Sequence, residues 1–188
     1  MSKKLLIILL GIATPIIIAI AMLAGSFNSL VVERENVHNA NAKIETALQR
    51  RADLIPNVVA SAKGYMKHEN EIFTNIANAR SKIGSGEKAT KSEGESELTS
   101  AISRLLVVKE NYPELKADAQ VTALISELEG TENRIHVARQ DYNTIATRYN
   151  QKILKFPTNM LANMFGFERA ELTQADKDAK TAPKVNLE

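Results

Sequence analysis

The chain has no cysteine and no tryptophan. Without thiols there is no disulfide framework, no thiol nucleophile, no Cys-based metal site and no lipoprotein-type lipid attachment. The redox compartment stays open on this evidence. Net charge is scarce too: 24 Lys and Arg against 22 Asp and Glu leave a formal +2. That balance excludes an electrostatic polyanion binder, so nucleic acid is not an expected partner. Chemistry-bearing motifs are also missing. His38, His68 and His136 form no HExxH pair, and His68-Glu69-Asn70-Glu71 lacks the second histidine one turn on. Gly84-Ser85-Gly86-Glu87-Lys88 has neither the spacing nor the preceding strand of a phosphate loop, and no GxSxG occurs. No catalytic residue, cofactor or metal is expected, and the chain reads as a non-enzyme.

What is present begins with Leu5 to Ala24, LLIILLGIATPIIIAIAMLA, which carries no charge over 20 residues. An α-helix needs about that length to cross a ~30 Å hydrocarbon core. A helix apolar all round leaves no face for water, and Gly11 and Pro15 are tolerated inside membrane spans. The stretch therefore predicts a transmembrane anchor, with Leu5, Ile12, Pro15, Ile20 and Ala24 in lipid and residues 1–4 as a short basic N-terminus. The alternative is a cleaved secretory signal. Against it, a signal core is usually ~7–15 residues, and Met22 before Ala24 fits the small-residue cleavage rule poorly.

Beyond Ala24 remain about 160 residues, enough for one domain with a sizeable core. Gly25-Ser26 reads as a short break, followed by an amphipathic helix with Leu30, Val37, Ala40, Ile44, Ala47 and Leu48 on one face. Pro56 predicts a kink or a new start, with Asp53 capping the helix that follows. Ile55, Val59, Ala62, Met66, Ile72-Phe73, Ile76 and Ile83 mark that second helix, ended by Gly84-Ser85-Gly86. The low-complexity stretch 84–97, GSGEKATKSEGESE, reads as a mobile loop because its composition cannot bury a core. Leu98 to Val108 forms a third helix, stopped by Tyr112-Pro113.

Leu115 to Phe156 is the longest periodic run. Val121, Leu128, Ile135, Tyr142, Tyr149 and Phe156 recur every seven residues, with Leu124, Thr131, Ala138 and Ile145 three positions on. Such heptads describe a coiled-coil-like helix packed on other helices, roughly 60 Å long. Pro157 ends it. Asn159 to Phe167 is a short apolar segment suited to capping a bundle or touching lipid, and 168–188 is a polar, loose tail. Together these predict an all-α protein: a transmembrane helix, then an antiparallel bundle of three to four long helices over residues 27–167.

Two constellations carry most information. Tyr142-Asn143 and Tyr149-Asn150 repeat one pair a heptad apart, a pattern suited to fixing bundle register by hydrogen bonds to a facing helix. Ligand binding is the less favoured reading. Arg50, Arg51 and Asp53 beside Pro56 are placed to pair with Glu132 or Asp141, fixing geometry more than adding stability.

The runs Phe27-Asn28-Ser29-Leu30-Val31, Gln49-Arg50-Arg51-Ala52-Asp53-Leu54-Ile55-Pro56-Asn57-Val58-Val59 and Lys63-Gly64-Tyr65 with His68-Glu69 resemble the LemA family of bacterial membrane proteins. So do Tyr112-Pro113-Glu114-Leu115-Lys116-Ala117, Thr131-Glu132-Asn133-Arg134-Ile135 with Ala138-Arg139, the two Tyr-Asn pairs, and Phe156-Pro157-Thr158-Asn159 leading to Phe165-Gly166-Phe167. Phe27 stands where the family usually has Tyr. The resemblance covers nearly the whole chain to Phe167. It implies a single-pass protein of the bacterial inner membrane with a helical bundle, and it implies no enzyme. Some members are linked to membrane protein quality control and others to the shaping of internal membranes.

Two functions follow as expectations. One is an anchored scaffold that self-associates as a homo-oligomer or docks membrane protein partners, its other partner being the lipid bilayer. The other is an adaptor that presents substrates to a protease, with Tyr65, Tyr142 and Tyr149 as groove anchors. Lys3 and Lys4 before the span place the N-terminus in the cytoplasm and the bundle outside it.

Overall fold

The structure is a computed structural model that describes residues 3–85 and 87–173, without the side chains of residues 3–9 and 88. Among the described residues there are six α-helices, one short 3-10 turn and no strand, so the all-α class holds. The helices are α1 (Lys3–Ala62), α2 (Asn70–Gly84), α3 (Lys88–Val108), α4 (Pro113–Ala117), α5 (Ala119–Leu154) and α6 (Thr158–Phe165), with the 3-10 turn at Lys109–Asn111.

The expected break at Gly25-Ser26 and the expected kink or restart at Pro56 are both corrected: α1 runs through each. A Cβ at Gly25 would meet nothing, so the glycine's freedom goes unused there. Proline costs about 3 kcal/mol in a helix interior. Here Pro56 and Ala52 are exposed, so water can take up the carbonyl the ring leaves unpaired, while Leu54, Ile55 and Val58 are buried around them. Burying such side chains stabilises by roughly 1.5–3 kcal/mol each, enough to keep the helix intact. Asp53 therefore caps nothing; it lies mid-helix, accepting from Gln49 Nε2 at 2.9 Å. The helix expected to reach Ile83 is instead split, α1 ending at Ala62 and α2 starting at Asn70.

The contacts divide the chain into two compact units, one of Met1–Lys43 with Ala138–Thr173, the other described over Ile44–Val137. The second is a set of helices around one core of Leu54, Ile55, Met66, Ile72, Phe73, Ile102 and their neighbours. Its helices run antiparallel. Arg51 on α1 meets Glu132 on α5, and Tyr65 just past α1 meets Asp118 just before α5. Lys82 on α2 meets Glu93 and Glu97 on α3, and Glu71 meets Arg104.

The supposed loop 84–97 is the largest correction, because α3 begins at Lys88 and takes up most of it. Lys, Ala and Glu are good helix formers even where nothing is buried, and Glu93 and Glu97, one turn apart, both reach Lys82. Gly94 is the contact point. A Cβ there would stand 2.8 Å from Ala79 O and from Lys82 Cβ, so only glycine lets α2 and α3 come this close.

Arg51 is the unit's buried charge, 2% exposed. Its Nη1 donates to Glu132 Oε1 at 3.3 Å and to Thr99 Oγ1 at 3.0 Å. The expected Arg51–Glu132 pair is present, whereas Arg50 reaches Glu127 at 3.4 Å on the surface. At the start of α5, Asp118 Oδ1 accepts from the Gln120 and Val121 amides at 2.9 and 3.1 Å, satisfying orphan N–H groups. That cap separates α4 from α5 within the expected continuous run. Tyr65 donates its hydroxyl to Asp118 Oδ2 at 2.7 Å. This bond, with the two amides, holds the Asp118 carboxyl below its ordinary value and raises the Tyr65 hydroxyl above its own.

The heptad series is buried from Val121 through Leu128, Ile135, Tyr142 and Tyr149. Its last member is a correction, Phe156 being 80% exposed, because α5 has already ended at Leu154.

Candidate functional site

The first unit is built on the N-terminal part of α1 and the C-terminal part of α5. Two polar contacts set their register. Arg148 donates to Glu33 Oε2 from Nη2 at 3.0 Å and from Nε at 3.2 Å, and Lys152 donates to Ser29 Oγ. Paired numbers fall on one helix as they rise on the other, so the helices are antiparallel and Leu154 comes level with Phe27. Leu30, Tyr149, Ile153, Leu161, Ala162 and Phe167 form the core between them.

The chain then turns back. Thr158 opens α6 and is buried, its hydroxyl donating to Lys155 O at 2.7 Å. At the other end Gly166 adopts φ 69°, the left-handed conformation that closes a helix, and Phe167 N–H reaches back to Ala162 O at 2.9 Å. This reversal drops Phe167 into the core and sends residues 167–173 along α5.

Here the Tyr-Asn repeat finds its partner. Asn150 Nδ2 donates to Ala170 O at 2.9 Å, and its Oδ1 accepts from Ala170 N at 2.8 Å. Asn143 repeats the arrangement on Thr173, at 3.0 Å to its carbonyl and 2.9 Å from its amide. Tyr142 donates to Glu171 O at 2.8 Å. Seven helical residues rise ~10.5 Å, and three fully extended residues reach at most ~10–11 Å. Residues 170–173 must therefore be nearly extended, and one heptad of helix matches one tripeptide of strap.

The expectation of bonds to a facing helix is corrected accordingly for Tyr142, Asn143 and Asn150, while Tyr149 packs in the core. A carboxamide offers a donor and an acceptor side by side, the complement of one peptide group. Helical backbone has already paired both inside itself, whereas extended backbone has not. The tail expected to be loose is docked as far as Thr173; the rest of 168–188 lies outside the described residues. Burial raises the hydroxyls of Tyr142 and Tyr149. Glu171 adds to the first; at the second Arg34 opposes and Glu168 reinforces the shift. Both stay protonated near neutral pH. The site's chemistry is hydrogen bonding to peptide groups.

Towards the apolar stretch the unit ends in rings. Phe27 packs edge-to-face on Phe165 and Phe167, centroids 4.8 and 5.8 Å away, and the Arg34 guanidinium lies 4.8 Å over the Phe167 ring. Below Phe27 the helix has no packing partner among the described residues. Ile12, Pro15, Ile20 and Ala24 are exposed, as is each residue from Leu10 to Gly25. The Leu5 side chain lies outside the described residues.

Of the other expected residues, Arg139 is half-buried on α5, and Tyr65 and Glu132 are bound as described above. His38, His68 and His136 are all exposed. No cluster of three or more His, Cys, Asp or Glu suited to a metal occurs among the described residues. Sequence reasoning missed Glu33, Asp118 and Thr99. Only Asp118 carried a signal, an Asp placed directly before a periodic helical run.

An apolar, unburied stretch of span length at the start of α1, leading directly into a strapped antiparallel helix pair, fits a helical, membrane-associated class of protein. The LemA family model matches residues 40–187, and the chain belongs to the LemA family. It is 31% identical to Protein LemA of Metamycoplasma hominis over 82% of this chain and 74% of that protein. It is 30% identical to Magnetosome protein MamQ 2 of Paramagnetospirillum magneticum, over 88% of this chain and 71% of that protein. Magnetosome protein MamQ of Magnetospirillum gryphiswaldense is 26% identical, over 77% and 63%. None of these names describes an enzyme.

Proposed function

We propose that the protein is a bilayer-anchored scaffold that works by contact, with α1 as a permanent span. The observation behind this is continuity. Six residues past Ala24, on the same unbroken helix, Leu30 is 0% exposed within the first unit's core. Such a join has no flexible linker, so the unit is held at the membrane surface in a fixed attitude. That suits a protein presenting a rigid surface to a second copy or to a membrane protein. Lys3 and Lys4 favour a cytoplasmic N-terminus with the folded units on the far side.

The adaptor reading draws less support. Tyr65 and Tyr142 have their hydroxyls bound within the fold and Tyr149 is buried, so none is an open anchor for a peptide.

The test is extraction and neighbourhood in native membranes. The full chain should resist alkaline carbonate and high salt, and short-range crosslinking should capture either itself or a membrane protein. Release by carbonate removes the span. A carbonate-resistant chain without crosslinked neighbours removes the scaffold role.

A further inference from the structure

The outer face of α6 is uncovered among the described residues. Leu161 and Ala162 point into the core, while Met160, one turn before Met164, is 61% exposed and Met164 is 70% exposed. Leu154 and Phe156, just upstream, are likewise exposed, and Phe165 is half out although its ring touches Phe27. Soluble surfaces carry such side chains singly; a contiguous set marks an interaction site.

The register says what covers it. Ser29 opposite Lys152 and Glu33 opposite Arg148 put the end of α5 level with Phe27, and the Phe27–Phe165 contact puts α6 there as well. Phe27 is three residues, or ~4.5 Å, beyond the last residue of the apolar stretch. We infer that α6 is an interfacial helix whose Met160–Met164 face rests in the bilayer that holds α1. An amphipathic helix of this kind buries its apolar face ~5–10 Å into the headgroup and acyl boundary, the depth at which Phe27 emerges. Exposed Lys155, beside Phe156, stands where headgroup phosphates lie. The first unit is thus fixed at two points, by a span and by a float, and cannot swivel freely about α1.

The inference rests on the span proposed above, so its test separates the two. The chain has no cysteine, so single cysteines can be introduced at Met164 (M164C), Ile18 (I18C) and Thr144 (T144C) and labelled with a polarity-sensitive fluorophore. The full chain is placed in liposomes containing bromine-labelled acyl chains. Thr144 is exposed on α5 ten residues back from Leu154, a control well clear of the boundary. The expected result is strong quenching at residues 18 and 164, several-fold above residue 144. Quenching at residue 18 with residue 164 no different from 144 overturns the float and leaves the span standing. Absence of quenching at residue 18 removes both. An M164C chain that forms a disulfide-linked dimer while residue 164 stays unquenched assigns the face to a second copy and also overturns the inference. As a second measurement, the double variant M160E/M164E should fold with unchanged helicity, because both residues are exposed, yet lose quenching at a label on Phe156 (F156C).

Discussion

Replacing Asn150 with Ala tests the strap directly. The substitution deletes two hydrogen bonds, of 2.9 and 2.8 Å, on Ala170. Each such bond stabilises by about 0.5–1.5 kcal/mol net. Were the strap to stay down, its Ala170 N–H and C=O would be left unmet at about 1–3 kcal/mol apiece. Lifting the segment into water avoids that penalty but gives up burial of Phe167, worth roughly 1.5–3 kcal/mol. Exposure of Phe167 on opening is common to both chains, so two lost bonds at about 1 kcal/mol each put the loss in the free energy of local opening near 2 kcal/mol. At ~1.4 kcal/mol per factor of ten, the Ala170 amide should exchange with solvent about 30-fold faster. Residue-resolved hydrogen exchange on the full chain in lipid nanodiscs reads this. The Thr173 amide, still held by Asn143, should speed up by a smaller factor. A change at Ala170 of only about twofold, the size of an ordinary surface substitution (~0.5 kcal/mol), would refute the clamp. Equal acceleration throughout α5 would refute it too, by showing that the whole unit had come apart.

Three further outcomes are expected. Gly94→Ala adds a Cβ 2.8 Å from Ala79 O; overpacking of about 1–3 kcal/mol should exceed the ~1 kcal/mol of helix propensity gained, lowering the urea midpoint of the second unit. Arg51→Ala breaks the buried contact to Glu132 and Thr99 and should destabilise by about 3 kcal/mol, the lower end for a broken buried pair because Glu132 keeps some solvent; Arg51→Met should recover part of this in the same denaturation assay. Asp118 has a folded pKa below its ordinary 3.8, so its contribution is complete above that value and fades as pH falls through the lowered one. Asp118→Asn should therefore flatten the loss of stability in acid titrations, and an unchanged slope would show that the cap carries no charge dependence.

Much of this fold was legible in the residues. The apolar stretch, the heptads from Val121 to Tyr149, and the helix ends at Tyr112-Pro113 and before Pro157 follow from hydropathy period and backbone chemistry alone. The failures share one physical cause, that local signals were outvoted by packing. The ring of Pro56 argues for a break, whereas burial of Leu54, Ile55 and Val58 decides for the helix. The stretch 84–97 lacks the apolar residues that signal a packed helix, but Gly94 gives α3 a close crossing that needs none. The repeat of Asn143 and Asn150 points to paired hydrogen bonding, yet nothing in their heptad spacing says that the partner is extended chain. That partner lies 20 and 30 residues downstream, and only the reversal at Gly166 brings it back.

The asparagine clamp grips peptide groups and, apart from the Thr173 hydroxyl that also donates to Asn143 Oδ1 at 2.9 Å, makes no use of what hangs from them. Letters at 169 and 172 can therefore change with little consequence, whereas a proline at 170 or 173, having no amide to offer, cannot be accommodated. Spelling is loose here but count is strict: one residue inserted or removed between Ala170 and Thr173 would put the second grip out of reach of its helix.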